Sequence, residues 1–394
     1  MSLVSELLVS LACAGLIAQL GSILLAYRKQ HAAARPGITG TPKVTLLRPL
    51  CGLENHLEAT LETTFAIDYP DFDIVFCVEN PDDPVIALAN RLIARHPRVQ
   101  ARLLIGQDRV SGNPKLNNLV KGWRAAQAPW ILMADSNVLL PPDTIRRLLA
   151  EWRPGTGLVS SPPAGIRPTG FAARLECAFL NSFQGRWQLA SAALGNGFAQ
   201  GKMLFWHRNL LEQAGGIAVL GREMAEDVAS TKLVRRQGLK VRLTQRLFEQ
   251  PVGQRSFHAV WRRQVRWAKV RRLGFLSLFL PELFVGGAFP VLAIVALAAG
   301  SVVTAGQAAA FIALWYGAEY LLARASGWPA TAADGLAWLC RDALLPVVWV
   351  AAWFGNGFDW RGTAMTAADL PPDGAATGAA PGASPDGALS LAKP

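Results

Sequence analysis

The chain has 394 residues, 51% of them hydrophobic, with a formal charge of +11 and five cysteines. That length allows about two domains, and the apolar residues gather toward both ends, which argues against a wholly soluble enzyme and for a soluble domain between membrane segments. The basic residues cluster beside those apolar stretches and no nucleic-acid motif is present, so the charge is assigned to an anionic membrane face rather than to nucleic acid.

The cysteines, Cys13, Cys51, Cys77, Cys177 and Cys340, are scattered without a CxxC pair and read as reduced, packed thiols of a cytoplasmic compartment. Leu3 to Tyr27 carries one acid, Glu6, and then about twenty apolar or small residues, enough to span a bilayer. Arg28, Lys29, Arg35 and Lys43 follow it. A signal peptide places its basic residues before the apolar core, so residues 1–28 are expected to form a retained transmembrane anchor, with the N-terminus outside and the next domain in the cytoplasm.

Residues 43–255 alternate short apolar runs with helical stretches. Val44 to Leu47, Asp73 to Val78, Val99 to Ile105, Trp130 to Ala134 and Gly157 to Ser160 have strand length and β-branched content. Glu54 to Ala66, Pro84 to His96 and Leu116 to Ala126 have helical periodicity. This alternation predicts an α/β fold with a mainly parallel sheet, and ligands beyond the carboxyl ends of its strands.

Residues 256–274 are predicted to form an amphipathic interfacial helix centred on VWRRQVRWAKVRR. Its spacing puts Arg263, Arg266 and Trp267 in one narrow sector, with Arg262, Lys269, Arg271 and Arg272 spread around them. In the C-terminal region, 275–356, Phe275 to Val303 is broken by Pro281, Glu282 and Pro290, and Ala308 to Leu322 and Leu336 to Phe354 are further apolar stretches. With the anchor these give about four expected spans. Residues 362–394, rich in Ala, Gly, Pro and Asp, are expected to be a disordered tail.

Four constellations carry polar chemistry where a strand ends or a loop opens. Glu79-Asn80-Pro81-Asp82-Asp83-Pro84 reads as a helix-capping turn or a ligand site. In Ala134-Asp135-Ser136-Asn137 a carboxylate at a strand end is placed to bind a divalent cation through oxygen. Glu226-Asp227 either favours a helix N-terminus or supplies a general base tuned by its neighbour. The arginine cluster is a snorkelling membrane helix or an anion clamp. Together they suit transfer of a sugar from a nucleotide diphosphate to a hydroxyl: metal and guanidinium on the leaving group, a carboxylate on the acceptor.

In that order and spacing, VTLLRPLCGLE, DYPDFDIVFCVENPDDP, NPKLNNL, ADSNVLLPPDTI, AEDVA and RRQVRW resemble the ceramide glucosyltransferases, glycosyltransferase family 21, and more broadly membrane-bound family 2 glycosyltransferases. The resemblance implies a GT-A fold over 43–255, a UDP-sugar donor, Mg²⁺ or Mn²⁺, and inversion at the anomeric centre. It implies that Asp83 faces the nucleotide, that Asp135 serves the metal and diphosphate, and that Asp227 is the catalytic base. Arg263, Arg266 and Trp267 match the (Q/R)xxRW signature, which binds the diphosphate and borders the acceptor. Lys115 and Asn117 lie in a segment expected to border the nucleotide.

Two departures bear on this. The second motif, Asp-Ser-Asn, lacks the final carboxylate of an Asp-x-Asp pair, so metal binding rests on Asp135, alone or with Asn137. Gln184-Gly185-Arg186 stands where many eukaryotic members carry His-Pro-Arg, so acceptor contacts there are not transferred. The implied reaction moves glucose to the primary hydroxyl of ceramide in a cellular membrane such as a bacterial inner membrane. The alternatives are N-acetylglucosamine or galactose transfer to another lipid, such as a hopanoid, and a non-catalytic membrane protein that binds nucleotide sugar.

Overall fold

The computed structural model describes residues 2–33, 37–355, 357–360 and 363–365. Helix α1 (Leu3–Gln30) precedes β1 (Val44–Leu50), α2 (Leu57–Phe65), β2 (Phe72–Val78), α3 (Val85–Arg95), β3 (Ala101–Ile105), α4 (Pro114–Ala125), β4 (Trp130–Ala134), α5 (Thr144–Glu151) and β5 (Thr156–Ser160). There follow β6 (Pro163–Thr169), α6 (Phe171–Ala178), a π-helical segment Phe179–Gly185 and α7 (Arg186–Ala193). Then come β7 (Met203–His207), α8 (Arg208–Gln213), a 3₁₀ turn Ile217–Arg222, α9 (Glu226–Arg236), β8 (Lys240–Leu243) and β9 (Phe248–Gln254).

Seven strands form one sheet in the order β3-β2-β1-β4-β7-β5-β8. All neighbouring pairs are parallel except those of β7, which runs antiparallel to both β4 and β5. The strands read as unbroken apolar runs because both faces are covered. Alternate residues serve opposite faces: Leu46, Ile74, Phe76 and Leu132 pack with Leu61 of α2, Leu92 of α3 and Leu148 of α5. Leu47, Val75, Cys77 and Ile131 pack with Leu119 and Trp123 of α4 and Val234 of α9. β6 and β9 form a separate two-stranded parallel sheet, which the sequence pattern, with prolines in both strands, does not announce.

Helix α10 (Phe257–Gly274) occupies the predicted interfacial stretch, with the Ser256 hydroxyl capping its first turn through Ala259 N–H. It is followed by α11 (Leu276–Phe279), a 3₁₀ turn Leu280–Phe284, α12 (Ala288–Ala299), α13 (Ala305–Ala325) and α14 (Ala332–Ala351). Helix α1 packs against α7, α12 and α13. Gly15 permits this close approach, since a Cβ there would lie 2.3 Å from Pro290 Cγ.

Among the described residues two stretches, Leu3–Gln30 and Leu276–Ala299, are long and apolar enough to cross a membrane, against about four expected. α13 and α14 have the length of spans but carry Glu319, Arg324, Asp334, Arg341 and Asp342. β10 (Phe358–Trp360) pairs antiparallel with β11 (Thr363–Met365). β11 falls inside the tail expected to be disordered, and the rest of 362–394 lies outside the described residues.

Candidate active site

The register Ala134↔Met203 places the amino end of antiparallel β7 beside the carboxyl end of β4. Polar residues that follow β1, β2 and β4 therefore share one edge of the sheet with residues that precede β7. Asp83, in the turn before α3, accepts Gly52 N–H at 2.8 Å and Val85 N–H at 2.9 Å through its carboxylate. Gly52 adopts φ 64° just beyond β1, a left-handed conformation that suits glycine. Asp83 is thereby both a helix-start acceptor and a fixed carboxylate at the strand ends.

Lys115 lies in the first turn of α4, which Asn113 caps by accepting Leu116 N–H. Its ammonium contacts Asp135 Oδ1 at 2.6 Å, Glu226 Oε1 at 2.6 Å and the Gly201 carbonyl at 2.5 Å. These three contacts use the three donors an ammonium has. Lys202 takes the other oxygen, with Nζ 2.8 Å from Asp135 Oδ2 and 3.0 Å from Asn137 Oδ1. Arg48, wholly buried, fixes the loop after β4 by donating to the carbonyls of Asp135 and Val138 at 2.7 and 2.8 Å.

Asp227 opens α9 and accepts Gly201 N–H at 2.9 Å and Val228 N–H at 2.8 Å. Gly201 thus donates to Asp227 while its carbonyl accepts from Lys115, joining the two motif carboxylates through one residue. A Cβ at Gly201 would lie 2.9 Å from Glu226 Oε1 and 3.4 Å from Asp227 Oδ2, so glycine there keeps the cluster closed. Asn113 Nδ2 donates to Glu226 Oε2 at 2.8 Å.

The electrostatics separate the two aspartates. Burial raises the Asp135 carboxyl, but Lys115 and Lys202 outweigh it and hold the group well below the usual carboxylate range. Burial also acts against the Lys115 ammonium, and Asp135 and Glu226 reverse that and hold it above its ordinary value. Asp227 goes the other way: burial, and then the Glu226 charge beside it, push its carboxyl up to about 6. Lys202 is lowered by burial, with Arg263 adding to the effect and Asp135 opposing it.

The signature residues on α10 divide. Arg263 forms an ion pair with Glu176 of α6, an acid with no exposed surface, and lies near enough to Lys202 to act on its charge. Arg266 is half-buried three residues further on. Trp267 packs on Ala173, Cys177, Leu180 and Val252, so one side of its ring is used for docking α10. Asn117 does not join the cluster: it accepts Val110 and Ser111 N–H and donates to Ser111 O, at 2.9, 3.0 and 2.9 Å. Its role is to hold the loop before α4. The basic residues expected to touch the membrane are partly engaged with protein: Arg271 pairs with Glu282 at 2.8 Å and Lys269 donates to the Gly357 carbonyl at 3.0 Å.

Gly201, Lys202, Asn113, Arg48 and Glu176 are site components that sequence reasoning missed. Looking for ligands only beyond the carboxyl ends of strands excludes Gly201-Lys202, because β7 is reversed and presents its amino end. The signal was a Gly-Lys pair directly before the apolar run MLFW.

Among the described residues no group of three or more His, Cys, Asp or Glu side chains could hold a metal ion. The donor set still fits a cation bound jointly with a ligand's phosphates, since Mg²⁺ is commonly held by one or two carboxylates plus phosphate oxygens. Asp135 Oδ2 and Asn137 Oδ1 converge on the Lys202 ammonium, which stands in as a cation between two hard oxygens.

The profile of the family described as Glycosyl transferase family 21 matches residues 7–370. Ceramide glucosyltransferase 1 of Caenorhabditis elegans is 28% identical over 247 residues, 62% of this chain and 53% of that protein. The ceramide glucosyltransferase of Komagataella phaffii is 43% identical over 99 residues, 24% of this chain and 19% of that protein. The chain spans about half the length of the nematode relatives it matches. A mannosyltransferase from Pyrobaculum calidifontis, solved in complex with GDP-Man and Mn²⁺, superposes with a TM-score of 0.54 at 19% identity, covering 88% of this chain and 97% of that one. That likeness shows the fold: the α/β domain is GT-A-like.

Proposed function

The chain belongs to glycosyl transferase family 21, and from that premise we propose that it transfers glucose from UDP-glucose to the primary hydroxyl of ceramide at a membrane surface. The observation that carries this reading is the linked pair of aspartates. Asp135, held ionised by two ammonium groups, and Asp227, with its carboxyl near 6, share one residue, Gly201, between them. A leaving-group site needs fixed charge and a general base needs proton affinity; the cluster supplies both within a few bonds.

In this reading the fixed carboxylate of Asp83 accepts from the nucleoside, Lys202 and the α10 arginines Arg263 and Arg266 face the diphosphate, and Lys115 borders the nucleotide by fixing Asp135 and Glu226. Asp135 and Asn137 would hold a divalent cation, which would supply charge neutralisation on the leaving diphosphate. The acceptor oxygen attacks the anomeric carbon, the bond to the diphosphate oxygen breaks with its electron pair leaving on UDP, and the hydroxyl proton passes to Asp227. A base on the face opposite the leaving group gives inversion. The free side of Trp267 borders the acceptor.

The same proposal places α13 and α14 in the bilayer beside the two apolar stretches, with the catalytic domain on the cytoplasmic side. Leu314, Leu321, Leu336, Leu339, Val347 and Val350 are exposed on these helices, while Glu319, Arg341 and Asp342 are buried and paired with one another. Intramembrane charges are tolerated when they face the bundle interior and pair.

The test is incubation of the purified full chain with labelled UDP-glucose, ceramide and Mg²⁺. Labelled glucosylceramide of inverted anomeric configuration is the expected product, and absence of label in the ceramide fraction would overturn the acceptor assignment.

A further inference from the structure

We propose that Lys202 is a built-in cation that occupies the Asp135 and Asn137 oxygens in the donor-free protein and moves onto the donor's diphosphate when a divalent cation enters. This rests on reading the site as one for a nucleotide sugar. Asn137 has a fixed orientation: its Nδ2 donates to Glu54 Oε2 at 3.1 Å, and a carboxylate only accepts. Its Oδ1 is therefore turned to Lys202 Nζ, which only donates. With Asp135 Oδ2 this makes a two-oxygen seat, filled by the ammonium at 2.8 and 3.0 Å. A divalent cation takes oxygens at roughly 2.0–2.6 Å, so ion and ammonium cannot share that seat.

The two lysines are not equivalent. Lys115 has all three donors committed, to Asp135, Glu226 and the Gly201 carbonyl, and it bridges three elements of the fold. Lys202 makes two such bonds among the described residues, both to the loop after β4. Its neighbour Arg263 is a like charge, and an anion arriving between them relieves that repulsion. A lysine suits this exchange because its charge is a point on a flexible stem, whereas arginine is a rigid fork. Displacement by the metal and capture by the diphosphate are then one event: the cation that guards the seat becomes a cation on the leaving group.

The experiment measures binding of Mn²⁺ alone, by electron paramagnetic resonance, to the full chain and to Lys202→Gln and Lys202→Met, and then UDP binding at saturating Mn²⁺. With the seat vacated, Mn²⁺ binds both variants at least about fivefold more tightly than the parent without UDP, while UDP binds at least about fivefold more weakly. Lys202→Arg keeps a cation on Asp135 and gains no Mn²⁺ affinity. Should the neutral variants fail to fold, a structure of the parent protein with Mn²⁺ and UDP decides: Lys202 Nζ on a diphosphate oxygen supports the proposal, and Nζ still on Asp135 Oδ2 overturns it. Failure of the parent protein to bind UDP with Mn²⁺ sinks the nucleotide-sugar reading. UDP binding with unchanged Mn²⁺ affinity in both neutral variants sinks the Lys202 exchange alone.

Discussion

The cluster at the sheet edge and the cluster between α13 and α14 both bury mixed charge, but they use different cations. At the sheet edge Lys115 and Lys202 hold Asp135 and Glu226, and Asp227 sits beside them on backbone N–H groups. Between the helices Arg341 takes Glu319 bidentately at 2.6 and 3.1 Å, and also reaches Asp342 at 2.8 Å and Ser182 at 2.6 Å. An ammonium on a flexible stem can exchange partners, and a planar guanidinium on two carboxylates fixes geometry. The first cluster is suited to chemistry and the second to holding helices in register with the π-helical segment that carries Ser182.

The largest expected effect is at the sheet edge. Asp227→Asn removes the proton acceptor and lowers kcat by about 10²–10⁴-fold, with UDP binding retained. The amide has one acceptor oxygen where Gly201 and Val228 both donate, so one of those backbone bonds is lost, against relief of the buried charge beside Glu226. Parallel loss of UDP affinity and kcat would make Asp227 a binding group instead of a base.

The parallel sheet was legible because β1, β2 and β4 are buried on both faces and read as apolar runs of strand length. Asp83, Asp135 and Asp227 stand out as candidates in the sequence because each follows such a run or opens a helix. Lys202 was not, because strand direction is set by tertiary pairing: β7 looks like any apolar strand, and only its antiparallel register turns its amino end to the ligand side. The partners of Asn117 are hidden in the sequence for a related reason. The NPKLNN segment is helical from Pro114, and the helix directs Lys115 to the cluster and Asn117 to the loop before it. Glu176 lies in the GFAARLE run but gives no sign in sequence of reaching Arg263, since the two are far apart along the chain and meet only when α6 packs on α10. Charges in α13 and α14 lowered their apolar character below that of a simple span, and only the fold shows them paired.

The helix cluster should break stability and leave ligand binding intact. Arg341→Leu leaves Glu319 and Asp342 buried without their cation, which costs about 3–5 kcal/mol, measured as loss of the folded fraction on denaturation in detergent. UDP affinity of the protein that remains folded is unchanged. Arg341→Lys recovers only part of the loss, because one ammonium cannot replace the fork; full recovery would remove the contrast with the sheet edge. Gly201→Ala is the milder probe of the first cluster. Its methyl meets Glu226 Oε1 at 2.9 Å, an oxygen already held by Lys115, so the carboxylates shift by a few tenths of an ångström. A fall in kcat of about 10–100-fold is expected, as small misplacements at a reacting centre carry penalties of that order, with thermal stability nearly unchanged.

The smallest effect is the pH profile, in which activity and stability at the sheet edge run in opposite directions. As the proposed base, Asp227 must be ionised to accept a proton, and burial with the Glu226 charge pushes its carboxyl up to about 6. kcat/KM therefore rises about tenfold between pH 5 and pH 7, as the ionised fraction goes from about a tenth to about nine-tenths, and then levels. Stability runs the other way over the same window. An unfolded aspartate ionises near 3.9, so the folded protein holds this proton more tightly. The stability it contributes is fully present below about pH 4 and is lost as pH rises through about 6. Burial is the larger cause of the shift and the Glu226 charge the second. Glu226→Gln accordingly moves the midpoint of the activity profile downward without returning it to 3.9, because burial remains. A midpoint unmoved by that substitution would mean that Glu226 acts on the site through Lys115 alone, and the neighbouring charge would have no part in tuning the base.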